Sequence, residues 1–299
     1  MYLSSICPII LIGGIMKEKL THALLANAAT LGVHWIYNFQ FLEALSKKQS
    51  LLFLDPDEKM YEASKIAYFA YPGYKAGDYT GVGQLITLLY DALADNPTFN
   101  KDDYQVLLTS LYMPGGTYKG YVESYGKKLV FNELKKALKV DADELLIDDH
   151  QLVGFVPYIA VKALGMNTDK AVELSQLLTS SDDYQSYFMM FDHMFNVEGT
   201  LEEKIKKSIH LAPVSDHEAL KQAISMDDTD KFIEAFAGRG CDVAHTLPVI
   251  IHALTHTKTF EEAVKLNAKI GGDSADRALL IGFLHQESHI PESWKTYIK

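Results

Sequence analysis

The chain has 299 residues, 48% of them hydrophobic and 22% charged, so it carries enough apolar material to bury a large core. Intrinsic disorder and a disulfide-held miniprotein are excluded. Twenty-eight Lys and Arg against 39 Asp and Glu give a net charge of -11 with no basic stripe, which argues against a nucleic-acid partner. A small anionic ligand stays open, because metal ions or helix N-termini supply positive potential locally.

In chain order, the apolar stretch at residues 6–15 contains Pro8, Gly13 and Gly14, lacks a basic leader and falls short of the ~20 residues that span a bilayer. No signal and no membrane partner are read there. Met16-Lys17-Glu18-Lys19 reads like a chain start, so residues 1–15 are expected to be an N-terminal extension and 16–299 a single domain. From Lys17 onward, apolar residues recur at helix spacing: Leu20, Leu24, Ala28 and Leu31, then Leu85, Ile86, Leu89 and Leu93, then Ala171, Leu174, Leu177 and Leu178. Further amphipathic runs cover about 117–139, 150–164, 184–195, 201–210, 245–255, 260–270 and 276–287, whereas alternating β-branched segments are almost absent. Breaks fall at Pro72-Gly73, Pro114-Gly115-Gly116, Gly165, Pro213, Gly238-Arg239-Gly240 and Gly271-Gly272. The pattern predicts an all-α, compact many-helix bundle without linker or repeat. Cys7 and Cys241 are too few for a disulfide framework and fit a reducing, cytoplasmic compartment.

Several groups of residues carry chemistry. Gly81-Val82-Gly83 follows no strand and lacks a third glycine, so it reads as the turn into a helix near Val82 and not as a dinucleotide loop. His252/His256 and His285/His289 have the i,i+4 spacing of zinc ligands, a spacing that also arises by chance on any helix surface. Carboxylates at expected helix starts say more: Asp78 with Thr80, Asp148 with Asp149, Asp182 with Asp183, and Asp273 with Asp276. Such oxygens either cap free N–H groups or converge on a hard cation such as Mg²⁺, and spacing alone does not choose between the two.

Three segments taken in order, Ala23 to Tyr37, Gly77 to Leu89 and Ile270 to Gly282, resemble the ADP-ribosylglycohydrolase family. Its members carry a small-residue helix ending near a glutamate, a Thr-Asp-Asp signature, and a closing Gly-Gly-Asp-Thr-Asp-Thr that opens a helix. The resemblance runs from about residue 17 to 295 and agrees with the all-α reading. It implies hydrolysis of an ADP-ribosyl or related N- or O-glycosidic bond in a small-molecule or protein-linked substrate. In the family two Mg²⁺ ions hold the ribose diol and the attacking water, which suits the oxocarbenium-like transition state of glycoside hydrolysis.

Residue by residue, the resemblance places Thr80 at the signature threonine, with Gly81 and Val82 where two metal-binding aspartates belong. Asp273 stands at the first closing aspartate, Ala275 at the second, and Asp276 at a threonine; His34 replaces the catalytic glutamate and Asn27 a frequent aspartate. The metal site implied is therefore incomplete: Thr80, Asp273 and Asp276 holding one or two Mg²⁺ ions. His34, Asp78 and Asp149 are the acid/base candidates, and Tyr118, His150, Gly154 and Arg277 the substrate-binding candidates. Arg277 lies one turn from Asp273 and serves either a pyrophosphate or that aspartate, and His34 is either a base or a packed neighbour of Trp35. The variant motifs His34-Trp35-Ile36-Tyr37, Gly77-Asp78-Tyr79-Thr80 and Gly272-Asp273-Ser274 with Arg277 are similar to the branch that includes jellyfish J-type crystallins and selenoprotein J. That likeness adds an alternative to catalysis: a degenerate member acting as a nucleotide-sugar binder or a structural protein.

Overall fold

The computed structural model describes residues 8–285 and 289–298, with side chains from residue 16 onward. Among the described residues there are fifteen α-helices, five short 3-10 helices and no strand, only three isolated bridges. The expected all-α class is what the chain adopts. None of these helices is long and apolar enough to cross a membrane.

The centre is α1 (Pro8–Thr30) packed on the last α-helix, and the sequence explains how they come so close. Ala23, Ala26 and Ala29 of α1 are buried, and on the opposing helix a Cβ at Gly282 would stand 2.4 Å from the His22 carbonyl oxygen. Small residues let the two backbones touch, and the last α-helix is buried along its whole length. The expected boundary at residue 16 falls inside α1.

The next helices pack on different partners. They are α2 (Phe39–Ser46), α3 (Glu58–Ser64), α4 (Gly81–Asp95), α5 (Lys101–Tyr112) and α6 (Ser124–Leu138). The run expected from 117 starts its helix only at Ser124; before it, Gly116 packs on the Leu111 backbone and Gly120 against the Tyr74 and Tyr118 hydroxyls. The middle helices are α7 (Val156–Ala163), α8 (Thr168–Ser175), α9 (Asp183–Asn196) and α10 (Leu201–Ser208). Buried Tyr158, Tyr184, Tyr187, Phe188 and Phe191 give them an aromatic core. The chain closes with α11 (His217–Ser225), α12 (Thr229–Phe236), α13 (Val243–Thr255), α14 (Phe260–Ile270) and α15 (Ser274–Leu284). Of the earlier helices, α2 packs on α14, α4 on α7 and α5 on α6.

Local signals set many helix starts. Reciprocal capping boxes open α5 (Asn100 with Asp103), α10 (Thr200 with Glu203) and α14 (Thr259 with Glu262). Only three residues join α14 to α15, and both glycines of that turn have positive φ, +78° and +68°. A side chain at Gly272 would strike the Arg239 carbonyl, so this corner needs glycine for both conformation and space. Gly272 then pairs with Ile36, its N–H donating to the Ile36 carbonyl at 2.7 Å while Trp35 N–H donates to its own carbonyl at 2.7 Å. That pairing ties the end of the first signature segment to the start of the last.

Candidate active site

Three elements converge: the turn after α1, the N-terminus of α4 and the N-terminus of α15. Trp35 stands at the turn with φ of +61°, a left-handed conformation uncommon for a bulky residue. The Gly272 pairing, a 3.0 Å bond from Tyr68 N–H to the Trp35 carbonyl, and indole Nε1–H donating to Asp273 Oδ1 at 3.1 Å hold it there. His34 and Trp35 are stacked there, ring centroids 4.5 Å apart, beside α15.

Thr80 is the N-cap of α4, its hydroxyl accepting from Gly83 N–H at 3.1 Å. The same oxygen accepts from Asn27 Nδ2 at 2.9 Å and donates to Asp276 Oδ1 at 2.6 Å. A hydroxyl has one proton and two lone pairs, so Thr80 Oγ1 is fully committed. Asn27 completes the lock: its Oδ1 accepts from Thr80 N–H at 3.0 Å and its Nδ2 also donates to the Ala275 carbonyl at 2.9 Å. Gly83 makes room for this amide, since a Cβ there would lie 2.5 Å from Asn27 Oδ1.

Asp273 occupies the N-cap position of α15 but makes no capping bond; its carboxylate turns inward to Trp35. Spacing that resembled a capping pair is thus two buried carboxylates, 2% and 3% exposed, both beside His34. His34 Nε2 lies 3.8 Å from Asp273 Oδ1 and 4.0 Å from Asp276 Oδ2. Its Nδ1 accepts from Ala275 N–H at 3.1 Å, and Tyr61 donates to its carbonyl at 2.6 Å. Burial, with Arg277 nearby, pushes the imidazole down to about 3, so it is neutral. Burial also raises Asp273 well above the carboxylate range, helped by Asp276, and pushes Asp276 up to about 7 against the opposing bonds from Thr80 and Asn27.

Arg277 is fully buried one turn from Asp273, yet it makes no hydrogen bond or ion pair to that aspartate among the described residues. Its guanidinium donates to Asn267 Oδ1 at 2.9 Å and to the Gly271 carbonyl, and Nη1 has no partner. It acts on Asp273 only through the field, offsetting part of the rise in its carboxyl. The negative field extends outward: burial and Asp273 push the Cys241 thiol up to about 12.

Glu123 is the residue that sequence reasoning missed. It stands at the N-cap of α6, 6% exposed, with no capping bond, and burial together with Asp276 and Asp273 raises its carboxyl well above the usual range. A lone glutamate at a helix start carries no sequence signal for this; only the fold brings it into the field of α15. Trp35 packs against Tyr68, Tyr71 and Tyr121, and Lys127 Nζ lies 4.6 Å over the Tyr121 ring.

The other expected site residues divide. Asp149 is buried beside this centre, accepting from Ser124 Oγ at 2.7 Å and Gln151 N–H at 2.9 Å, and it contributes to the rise at Glu123. Asp78 accepts from Lys75 N–H at 2.8 Å, closing the turn before Thr80. His150 is exposed and 3.5 Å from Asp148. Gly154 packs under the Tyr184 ring, which a Cβ would approach to 2.2 Å. Tyr118 donates to the Tyr121 carbonyl at 3.1 Å, and its hydroxyl fills the space a side chain at Gly81 would take. Tyr125 belongs to the core, paired with the Tyr112 hydroxyl at 3.0 Å. His252 is a packed residue bonded to Thr229 and Ala223. Neither histidine pair forms a three-ligand group among the described residues. A cavity of about 830 Å³ lined by Lys47, Lys48, Lys265, Lys269, Trp294 and Tyr297 lies elsewhere and shares none of these residues.

His34, Asp273 and Asp276 each offer one ligand atom, all within 4.8 Å of one another, a spacing at which a cation can be held. The donor chemistry does not suit the family's Mg²⁺. Thr80, expected as a ligand, has no lone pair left. Ala275 N–H can only donate, so Nδ1 of His34 must be the unprotonated nitrogen and the neutral ring carries its proton on Nε2, toward the carboxylates. Gly81 and Val82 bring no side-chain oxygen.

Comparison with known proteins agrees with the fold and the motifs. A search among curated proteins finds no match. Among solved structures, a chain described as an ADP-ribosylglycohydrolase-related protein complex superposes with a TM-score of 0.50 at 13% identity, over 96% of this chain and 94% of that one, a likeness of fold. The sequence model for ADP-ribosylglycohydrolase matches residues 25–299, the stretch that contains all three converging elements. The chain belongs to the ADP-ribosylglycohydrolase family.

Proposed function

We propose that this protein hydrolyses a glycosidic bond to an ADP-ribosyl group, carried by a small molecule or a modified protein. The observation that carries the reading is the burial of Asp273, Asp276 and Glu123 within one another's field, where the family's signature segments meet. Hydrolysis at an anomeric carbon needs one carboxyl group to give a proton and another to take one. Glu123, whose burial and acidic neighbours favour its protonated form, serves as the acid, and Asp276 as the base. Water attacks the anomeric carbon as the bond to the leaving group breaks. The bonding pair departs with the leaving group, which takes the Glu123 proton, while Asp276 takes the water proton. The aromatic surface of Trp35, Tyr68 and Tyr121 offers a face for the flat part of the substrate.

Mg²⁺ dependence, which the family resemblance implies, is not part of this proposal, because the committed Thr80 hydroxyl and the His34 tautomer oppose it. Kinship with the J-type crystallin and selenoprotein J branch rests on the His34-Trp35-Ile36-Tyr37, Gly77-Asp78-Tyr79-Thr80 and Gly272-Asp273-Ser274 motifs with Arg277, and a cytoplasmic setting on the low cysteine count. The test is thermal unfolding with ADP-ribose followed by release of ADP-ribose from mono-ADP-ribosylated peptides and small ADP-ribosyl conjugates. Stabilisation together with release supports the hydrolase; stabilisation without release identifies a nucleotide-sugar binder, and neither response points to a structural member.

A further inference from the structure

We infer that the centre between His34, Asp273 and Asp276 is built to hold a water molecule in place of a divalent cation, the water accepting from His34 Nε2–H and donating to both aspartates. This deepens the hydrolase reading by naming the nucleophile's seat, while its test does not depend on turnover.

The direction of one backbone bond carries the argument. Ala275 is the second residue of α15, and its N–H points at His34 Nδ1 from 3.1 Å. An amide N–H has no acceptor capacity, so Nδ1 presents a lone pair and the proton sits on Nε2. Protonating the ring would turn Nδ1 into a donor facing another donor, so the imidazolium is disfavoured by geometry as well as by burial. For Nε2 to ligate a metal it would have to lose its proton while Nδ1 still lacks one, leaving an imidazolate. The alternative is to surrender the Ala275 bond.

The second observation is that Nε2 is fully buried and has no hydrogen-bond partner among the described residues. An unsatisfied buried donor costs about 1–3 kcal/mol, and native structures seldom leave one. Its nearest acceptors, Asp273 Oδ1 at 3.8 Å and Asp276 Oδ2 at 4.0 Å, are too far for a direct bond. Both lie within the span of one bridging oxygen. An oxygen about 2.8 Å from each corner fits over a triangle of this size, and its one accepted and two donated bonds match the partners available. Its second lone pair stays free, as a nucleophile requires.

The neighbouring bonds favour the same occupant. Asp276 Oδ1 is engaged by Thr80 and Asn27, which leaves Oδ2 facing His34. Asp273 Oδ1 is engaged by Trp35, so each carboxylate is oriented before any ligand arrives. Neutral Asn27 at a position where the family often has aspartate, and the N–H of His34 at the position of its glutamate, replace acceptors with donors. A site altered this way loses affinity for a cation and gains it for a hydroxyl oxygen.

The experiment is a high-resolution crystal structure of the wild-type protein grown without metal and again after soaking in Mn²⁺, with anomalous data. The expected result is an ordered oxygen about 2.8 Å from His34 Nε2 and from one oxygen of each aspartate, with no anomalous peak after the soak. An anomalous peak among these three side chains, or no ordered density between them, overturns the proposal. Long-range ¹⁵N–¹H spectra of the imidazole rings provide a second reading in solution. His34 is expected with its proton on Nε2 from pH 5 to 8, unchanged by Mn²⁺; a proton on Nδ1, or His34 broadening by Mn²⁺ that Asp276→Asn abolishes, overturns it equally. Hydrolysis assays stay separate, so a water in place without turnover would count against the activity and leave the site standing.

Discussion

Thr80→Val is the sharpest probe of how this site is held, since valine keeps the shape and removes only the hydroxyl. Three bonds go with it: the cap to Gly83 N–H at 3.1 Å, the donation to Asp276 at 2.6 Å and the acceptance from Asn27 at 2.9 Å. An N-cap is worth about 1 kcal/mol, and a hydrogen bond to a buried carboxyl roughly 1.5–3 kcal/mol. Asn27 Nδ2 keeps the Ala275 carbonyl, so its loss adds little. The sum is about 3 kcal/mol. At ~2.1 cal/mol/K of unfolding entropy per residue, that lowers Tm by about 5 °C in a chain of this length. Thr80→Ser keeps the hydroxyl and loses one methyl, about 0.8 kcal/mol. Urea and thermal unfolding of the three proteins measure the difference directly. A Thr80→Val variant within 0.5 kcal/mol of wild type, or a serine variant as unstable as the valine one, would refute the claim that the hydroxyl is the centre of the lock.

Gly282→Ala places a methyl against the His22 and Ala23 backbone, which cannot step aside as a flexible side chain would, and should cost about 1–3 kcal/mol in urea unfolding; an unchanged midpoint would mean α1 and α15 sit further apart than described. Tyr61→Phe removes the 2.6 Å donor to the buried His34 carbonyl and is expected to cost about 1 kcal/mol in the same assay, with a cost near zero counting against that contact. For pH, Asp276 is raised from 3.8 to about 7 in the fold, so the stability linked to its proton is complete below about pH 4 and lost as pH rises through 7. His34, lowered from 6.5 to about 3, contributes in the opposite sense, present above about 6.5 and lost as pH falls toward 3. Asp276→Asn deletes the first effect and also relieves the rise at Asp273 and Glu123, which acts in the same direction, so the variant should gain on wild type between pH 4 and 7 by on the order of a few kcal/mol; a stability difference that does not change with pH would contradict the raised carboxyl.

The helical class was legible because apolar spacing and glycine breaks act locally. The runs expected at 184–195, 245–255 and 260–270 match α9, α13 and α14 to within two residues at each end. The site was legible in part. Thr80 stood out as a helix start, and it is one, but whether a capping hydroxyl also ligates a cation depends on partners 53 and 196 residues away. Asp273 and Asp276 had spacing that fits either a capping pair or cation ligands, and only the fold shows both buried, bonded to Trp35 and Thr80. Asp78 looked equivalent and instead closes its own turn with Lys75. Glu123 was invisible because burial, not sequence context, makes its chemistry. Trp35 was unreadable for a different reason: a bulky residue with positive φ defies local preference, and the long-range bonds to Gly272 and Tyr68 that impose it leave no periodic trace.

The most direct test of the account is release of ADP-ribose from mono-ADP-ribosylated peptide by the wild-type protein in EDTA, compared with excess Mg²⁺ and with Asp276→Asn. Equal release in EDTA and Mg²⁺, abolished in the variant, is what a carboxylate-and-water site predicts. Release that appears only with Mg²⁺, or wild-type and variant rates that coincide, would contradict it.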